Sequence, residues 1–70
     1  MNHHFTAVIK QDAGWWIGWV EEIPGVNCQA KTRAKLQKNL RSALKEALQF
    51  NREEAIAAAK ENYEEEAILL

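Results

Sequence analysis

The sequence has few of the residues that hold small proteins together. It contains one cysteine, Cys28, so an intrachain disulfide is excluded, and the single thiol predicts a reducing, cytoplasmic setting. Neither that thiol nor the adjacent pair His3 and His4 has the ligand spacing of a structural zinc site, so no metal is expected. The apolar runs are far too short for a transmembrane helix, so no membrane contact is expected. A domain of 70 residues seldom stabilises itself by its core alone. We therefore expect self-association, as a dimer or larger.

The sequence also lacks a recognisable catalytic arrangement. Its one aspartate, Asp12, falls in a predicted turn, whereas two-metal phosphoryl transfer needs several converging carboxylates. The three glycines are too scattered to form a phosphate-binding loop. His3 and His4 have no candidate nucleophile beside them in the sequence, and Cys28 lies in a short strand typical of a buried thiol. We therefore expect a protein that is not an enzyme and that binds no cofactor.

Charge is distributed unevenly along the chain, although the formal net charge is −1. Basic residues crowd the middle of the chain: Lys31, Arg33, Lys35, Lys38, Arg41 and Lys45. Acidic residues dominate the tail: Glu53, Glu54, Glu61, Glu64, Glu65 and Glu66. Such asymmetry accompanies nucleic-acid binding in some proteins, but a solvated helix face is the commoner cause.

Alternating apolar and polar residues predict a β-hairpin near the N terminus. The segments "HFTAVIKQ" (4–11) and "WWIGWVE" (15–21) are rich in strand formers, and "DAG" (12–14) supplies the turn. With a three-residue loop, Ile9 lies opposite Ile17. Trp15 and Trp19 then belong to the core face, while Trp16 emerges on the other face with two valines, Val8 and Val20. A loop of even length changes this pairing.

The rest of the chain predicts a corner, a third strand and a helix. In "EIPG" (22–25), Pro24 ends the ladder because it has no N–H to donate, and "VNCQA" (26–30) is a short strand. Thr32 is a candidate N-cap for a helix that runs from Arg33 to about Phe50, where apolar residues recur at helical spacing. In "NREE" (51–54) the pattern predicts a bend or restart, then a second helical piece to about Lys60. The last eight residues, "YEEEAILL" (63–70), favour a strand added to the sheet edge, while a helix and a frayed tail are the open alternatives.

These elements together predict one α/β (α+β) domain over residues 1–70. Residues 1–50 form the core hairpin, third strand and main helix, and residues 51–70 form the short helical piece and the terminal strand. The architecture is a small antiparallel sheet of three to four strands with one main helix packed on one face.

The order of these motifs resembles the HicB-like antitoxin family. The resemblance is carried by "FTAVIKQDAGWWIGWVEEIPGVNCQAKT" and by "LQKNLRSALKEALQF", from Phe5 to about Phe50. It implies a partial RNase H-like fold and oligomers that neutralise a small HicA toxin, which cleaves mRNA. The segment "EEIPG" replaces a corner that usually carries aspartate, and "AKT" replaces the common Gly-Asp-Thr. After Phe50 a complete DNA-binding module does not fit, so direct DNA binding is not expected.

Two surfaces are therefore candidates for binding a partner. The first is the uncovered sheet face, with Val8, Trp16 and Val20, where a tryptophan suits an interface hot spot. The second is the acidic corner, with Glu21, Glu22, Pro24 and Gly25, whose charge complements a basic toxin. The alternative function is an oligomeric RNA-binding or adaptor module without a toxin partner, in which aromatic side chains stack on bases.

Overall fold

A two-residue turn joins the first two strands. In the computed structural model, which describes residues 4–70, β1 (Ala7–Asp12) and β2 (Trp15–Val20) are connected by Ala13 and Gly14. Both turn residues have positive φ angles, 49° and 83°. Two consecutive positive φ angles are typical of a type I′ turn, whose twist matches that of the strands it connects. The predicted hairpin is therefore present, but its loop contains two residues instead of three.

The shorter loop shifts the strand register by one residue from the prediction. Ile9 lies opposite Gly18 rather than Ile17. Because side chains alternate along a strand, this shift exchanges the two faces of β2. Trp16 and Val20 consequently face the helix. The predicted placement of these two side chains on the uncovered face is wrong.

The third strand completes an antiparallel sheet. β3 (Asn27–Ala30) pairs with β2, so the strand order is β1-β2-β3. The strand begins one residue later than predicted, because Val26 belongs to the preceding corner, where its carbonyl accepts a hydrogen bond from the Val20 N–H at 3.0 Å. The side chain of Val26 is nevertheless buried.

A single long helix follows the sheet. α1 (Arg33–Ala59) begins after Thr32, whose hydroxyl oxygen accepts a hydrogen bond from the Lys35 N–H at 3.1 Å, which confirms the predicted N-cap. The predicted restart at Asn51 is wrong, because one helix continues through this residue, and the alternative, a bend, stays a prediction. No proline or glycine interrupts the segment "NREE", so nothing in it breaks the helical hydrogen bonds. Over residues 4–70, no helix combines the length and apolar character needed to cross a bilayer.

The C-terminal residues do not form the predicted strand. Residues 61–70 have neither strand nor helix structure and are exposed. The Arg52 guanidinium holds the Glu65 carboxylate beside the helix through two contacts, from Nε to Oε1 at 3.0 Å and from Nη2 to Oε2 at 3.2 Å. At Glu65 the segment therefore lies beside α1, and none of its residues pairs with the sheet. The predicted fold class, a small α+β fold with three strands and a helix, is confirmed.

The core lies between α1 and the two strands that it covers, β2 and β3. Its buried side chains are Val20, Val26, Ala30, Leu36 and Leu40. Gly18 allows the helix to approach, since a Cβ atom there would lie 3.1 Å from Leu40 Cδ1 and 3.1 Å from the Val8 carbonyl oxygen. The sheet's opposite face carries no covering element among the described residues.

Replacing Gly18 with valine should therefore destabilise the protein. Overpacking a filled core costs on the order of 2 kcal/mol. Urea unfolding followed by circular dichroism measures this difference. The matched control is Gln29→Val, which adds the same side chain to an exposed strand position and should stay within about 0.5 kcal/mol of the wild type. Equal stability of Gly18→Val and the control would contradict the close helix–sheet contact.

Candidate binding surface

The uncovered side of the sheet carries a cluster of aromatic and apolar side chains. The strand register places Val8 opposite Trp19, and alternation puts Trp15 and Ile17 on the same side. We call these four residues, with Lys10, the open sheet face. Trp19 remains 40% exposed although it has a neighbour on each side, Val8 on β1 and Asn27 on β3. Next to it, Ile17, Trp19, Asn27 and Gln29 line a shallow depression of about 490 Å³.

A lysine from the end of β3 packs on this surface. Lys31 Nζ lies 3.8 Å from the centroid of the Trp15 ring. This is a cation–π contact, which orients the indole and brings a positive charge to the open sheet face. Lys10, opposite Ile17, adds a second cation. The surface therefore combines the exposed indole of Trp19 and the half-buried indole of Trp15 with two ammonium groups.

The sequence placed only part of this surface correctly. Val8 lies on the uncovered face as predicted, but Val20 is 5% exposed and belongs to the core. Trp16 is half-buried against the core on the helix side, where Arg33 Cζ lies 5.6 Å from the ring centroid. The sequence prediction therefore missed Trp15 and Trp19, because both were assigned to the core. Interpreting Ala13 and Gly14 as a two-residue turn would have placed Trp15 and Trp19 on the uncovered face.

The acidic corner is held in place by reciprocal hydrogen bonds with Thr6. The Glu21 N–H donates to the Thr6 carbonyl oxygen at 2.9 Å, and the Thr6 N–H donates to Glu22 Oε1 at 2.8 Å. The hydrogen bond from the Thr6 backbone lowers the pKa of Glu22, because it favours the charged carboxylate. Pro24 and Gly25 are exposed, and Gly25 has a φ of 91°, which a residue with a Cβ rarely adopts. Glu22 thus fixes the corner, whereas Glu21 projects its carboxylate to solvent.

The residues weighed for catalysis are scattered. Cys28 is half-buried against the core, Asp12 is the exposed last residue of β1, and His4 is exposed. His3 lies outside the described residues. Within residues 4–70, no three His, Cys, Asp or Glu side chains are grouped to hold a metal ion. The absence of enzymatic activity and of a cofactor stays a prediction.

Comparison with known proteins assigns no relative to this chain. No protein-family model matches it, and no curated protein or solved structure is similar enough to count as a match. The resemblance to HicB-like antitoxins stays a prediction from the sequence. A proposal about function must therefore start from the geometry of the open sheet face and the acidic corner.

Because Trp16 and Trp19 lie on opposite faces of β2, replacing them should lower the free energy of unfolding by different amounts. Trp16→Ser should lower the free energy of unfolding by about 3 kcal/mol, because it empties space beside the core. Trp19→Ser on the other face should cost about 1 kcal/mol or less, since much of that ring is already in water. Urea unfolding of both variants makes the comparison. A larger loss for Trp19→Ser would contradict the register.

The lowered pKa of Glu22 predicts a pH-dependent stabilisation. A carboxylate whose pKa is lower in the folded state stabilises the fold above its ordinary value of 4.5. That contribution is lost as the pH falls through the folded-state pKa. Glu22→Gln should therefore be less stable than the wild type at neutral pH and equally stable at a pH well below 4.5. Thermal unfolding across this range tests the prediction, and a difference that does not change with pH would contradict it.

Proposed function

We propose that this chain acts by binding alone, as a HicB-like antitoxin that masks a small HicA-like mRNA-cleaving toxin in the cytoplasm. The observation that carries the proposal is the open sheet face. Trp15 and Trp19 lie on this face, with Ile17 between them on β2 and Val8 opposite Trp19 on β1. No described element covers this side of the sheet. Inhibition of this kind needs a complementary surface and no catalytic group.

Tryptophan on an exposed face is a strong indication of an interface. An indole removes a large apolar area from water when a partner covers it, and it loses little conformational freedom on binding. Trp19 is 40% exposed, and the depression beside it offers a recess for a partner side chain. β2 and β3 carry this part of the face and pack against α1 on their other side, so we expect the surface to be rigid before binding. Rigidity reduces the entropic cost of association.

The acidic corner supports a basic partner. Glu21 follows β2 directly, the strand that carries Trp15 and Trp19. Its backbone is fixed by Thr6, so its carboxylate is presented from a defined position. A toxin that grips RNA must carry a basic surface, and opposite charge on the antitoxin speeds association and selects the partner. In this proposal Glu21 contacts the toxin, while Glu22 holds the corner.

An RNA-binding or adaptor module is the second candidate function. The observation that favours it is the presence of Trp15, Trp19, Lys10 and Lys31 on one face, since indoles stack on bases and lysines contact phosphates. The structure places two lysines beside the indoles, although Arg41 and most other cations lie on the helix.

Affinity capture with matched baits tests the proposal. Wild-type protein and Trp19→Ser are used as baits in lysate of the native cells, and eluates are analysed for protein and RNA. We expect the wild type to retain a small basic protein in stoichiometric amount and Trp19→Ser to retain at least tenfold less. One equivalent of the wild type should then suppress the ribonuclease activity of that protein. Trp19→Ser should require a large excess.

Two results would contradict the antitoxin proposal. The captured protein could lack ribonuclease activity, or keep it when saturated with the wild type. Alternatively, RNA could be retained without a stoichiometric protein and released by moderate salt, which is the behaviour of phosphate contacts. The second result would favour the RNA-binding module. Trp16→Ser is not a suitable control here, because it is expected to destabilise the fold.

A further inference from the structure

An apolar groove runs between β1 and the helix. α1 packs on β2 and β3, so the helix-facing side of β1 is only partly covered: Ile9 is half-buried and Ala7 is exposed. Three side chains from the N-terminal hairpin region, Phe5, Ala7 and Ile9, form one wall, and Leu40 and Leu44 form part of the other. The groove has a volume of about 400 Å³, and Arg41 lies at its rim. This groove is on the opposite side of the sheet from the open sheet face.

The same strand has an unpaired edge. β1 is the first strand in the order, and within residues 4–70 it pairs only with β2. Its outer backbone N–H and C=O groups therefore face away from the sheet without a strand partner. Such an edge is a template for another extended segment. A segment that paired there would also place alternate side chains over the groove.

The C-terminal segment has the chemistry that fits this site. Ile68, Leu69 and Leu70 are 82%, 78% and 119% exposed, which is unusual for three consecutive large apolar side chains. Glutamates at 64–66 precede them. The groove is lined mainly by apolar side chains, with Gln37 and Arg41 on the helix side, and Lys38 lies next to Arg41. Apolar and charged parts of the segment thus both have complementary partners.

We propose that residues 67–70 of a second copy of this chain add to the free edge of β1 as a fourth strand. Their inward side chains fill the groove, and the preceding glutamates lie near Arg41. The exchange is reciprocal, because each copy has one groove and one tail. Two such contacts close a symmetric dimer and leave the open sheet faces uncovered.

Residues 67–70 are badly placed to fill the groove of their own copy. The contact with Arg52 holds Glu65 about eight helical residues beyond Leu44, which is about 12 Å along the helix axis. The five residues that follow Glu65 span about 17 Å when extended. Of residues 66–70, only one or two can therefore overlap β1 of their own copy, which is too few for a stable strand pair. A tail from another copy has no such constraint.

Nuclear magnetic resonance on a mixed sample tests the proposal directly. Equal amounts of ¹³C-labelled and unlabelled full-length protein are combined, and isotope-filtered spectra select contacts between copies. We expect nuclear Overhauser effects (NOEs) from the Ile68 and Leu70 methyl groups of one copy to Phe5, Ala7 or Ile9 of the other. Light scattering should give twice the chain mass of 8.0 kDa.

Variants separate this dimer from other assemblies. The double variant Ile68→Ser with Leu70→Ser should weaken dimerisation at least tenfold. Trp19→Ser, on the opposite side of the sheet, should change it less than twofold, so this result is independent of the proposed toxin binding. A monomeric wild type, contacts between tail and β1 only within one copy, or a dimer unaffected by the double tail variant would each overturn the proposal.

Discussion

The two-residue turn at Ala13 and Gly14 is the constraint on which the rest of the structure depends. It fixes the register of β1 and β2, and the register decides which side chains meet the helix. With one more residue in the turn, Trp16 would face away from the helix and Trp19 would face the core. The turn thus determines both the composition of the core and the composition of the exposed surface.

The three tryptophans divide accordingly between folding and binding. Trp16 packs against the core, which contains only five buried side chains among the described residues and therefore depends on this contact. Trp15 and Trp19 lie on the other side, where Lys31 covers part of one ring and the other remains open to solvent. The corner shows a similar division, since the Glu22 carboxylate accepts a hydrogen bond from the Thr6 N–H, whereas the Glu21 side chain is exposed to solvent. In each case one residue stabilises the fold, and neighbouring residues of the same type remain available for binding.

Much of the fold was predictable from local sequence signals. Strand alternation, the break at Pro24 and the cap at Thr32 depend on residues close in sequence, and each lies where the pattern indicated. The register of β1 and β2 was harder to predict, because Asp12 can lie either in a turn or at the end of a strand. Similarly, "NREE" suits a helix start and a helix interior, and tertiary context decides between them. The binding surface depended on the register, so the error in the turn exchanged Trp16 for Trp15 and Trp19.

The most direct test of this account is a map of the cross-strand Hα–Hα NOEs in the hairpin. The account predicts a strong effect between Ile9 and Gly18, with companions between Ala7 and Val20 and between Gln11 and Trp16. These pairs require the two-residue turn and put Trp15 and Trp19 on the open sheet face. A strong effect between Lys10 and Trp16 instead would indicate the three-residue loop, because these two residues form a non-hydrogen-bonded pair in that register. It would return those two tryptophans to the core and remove the surface on which the proposed function rests.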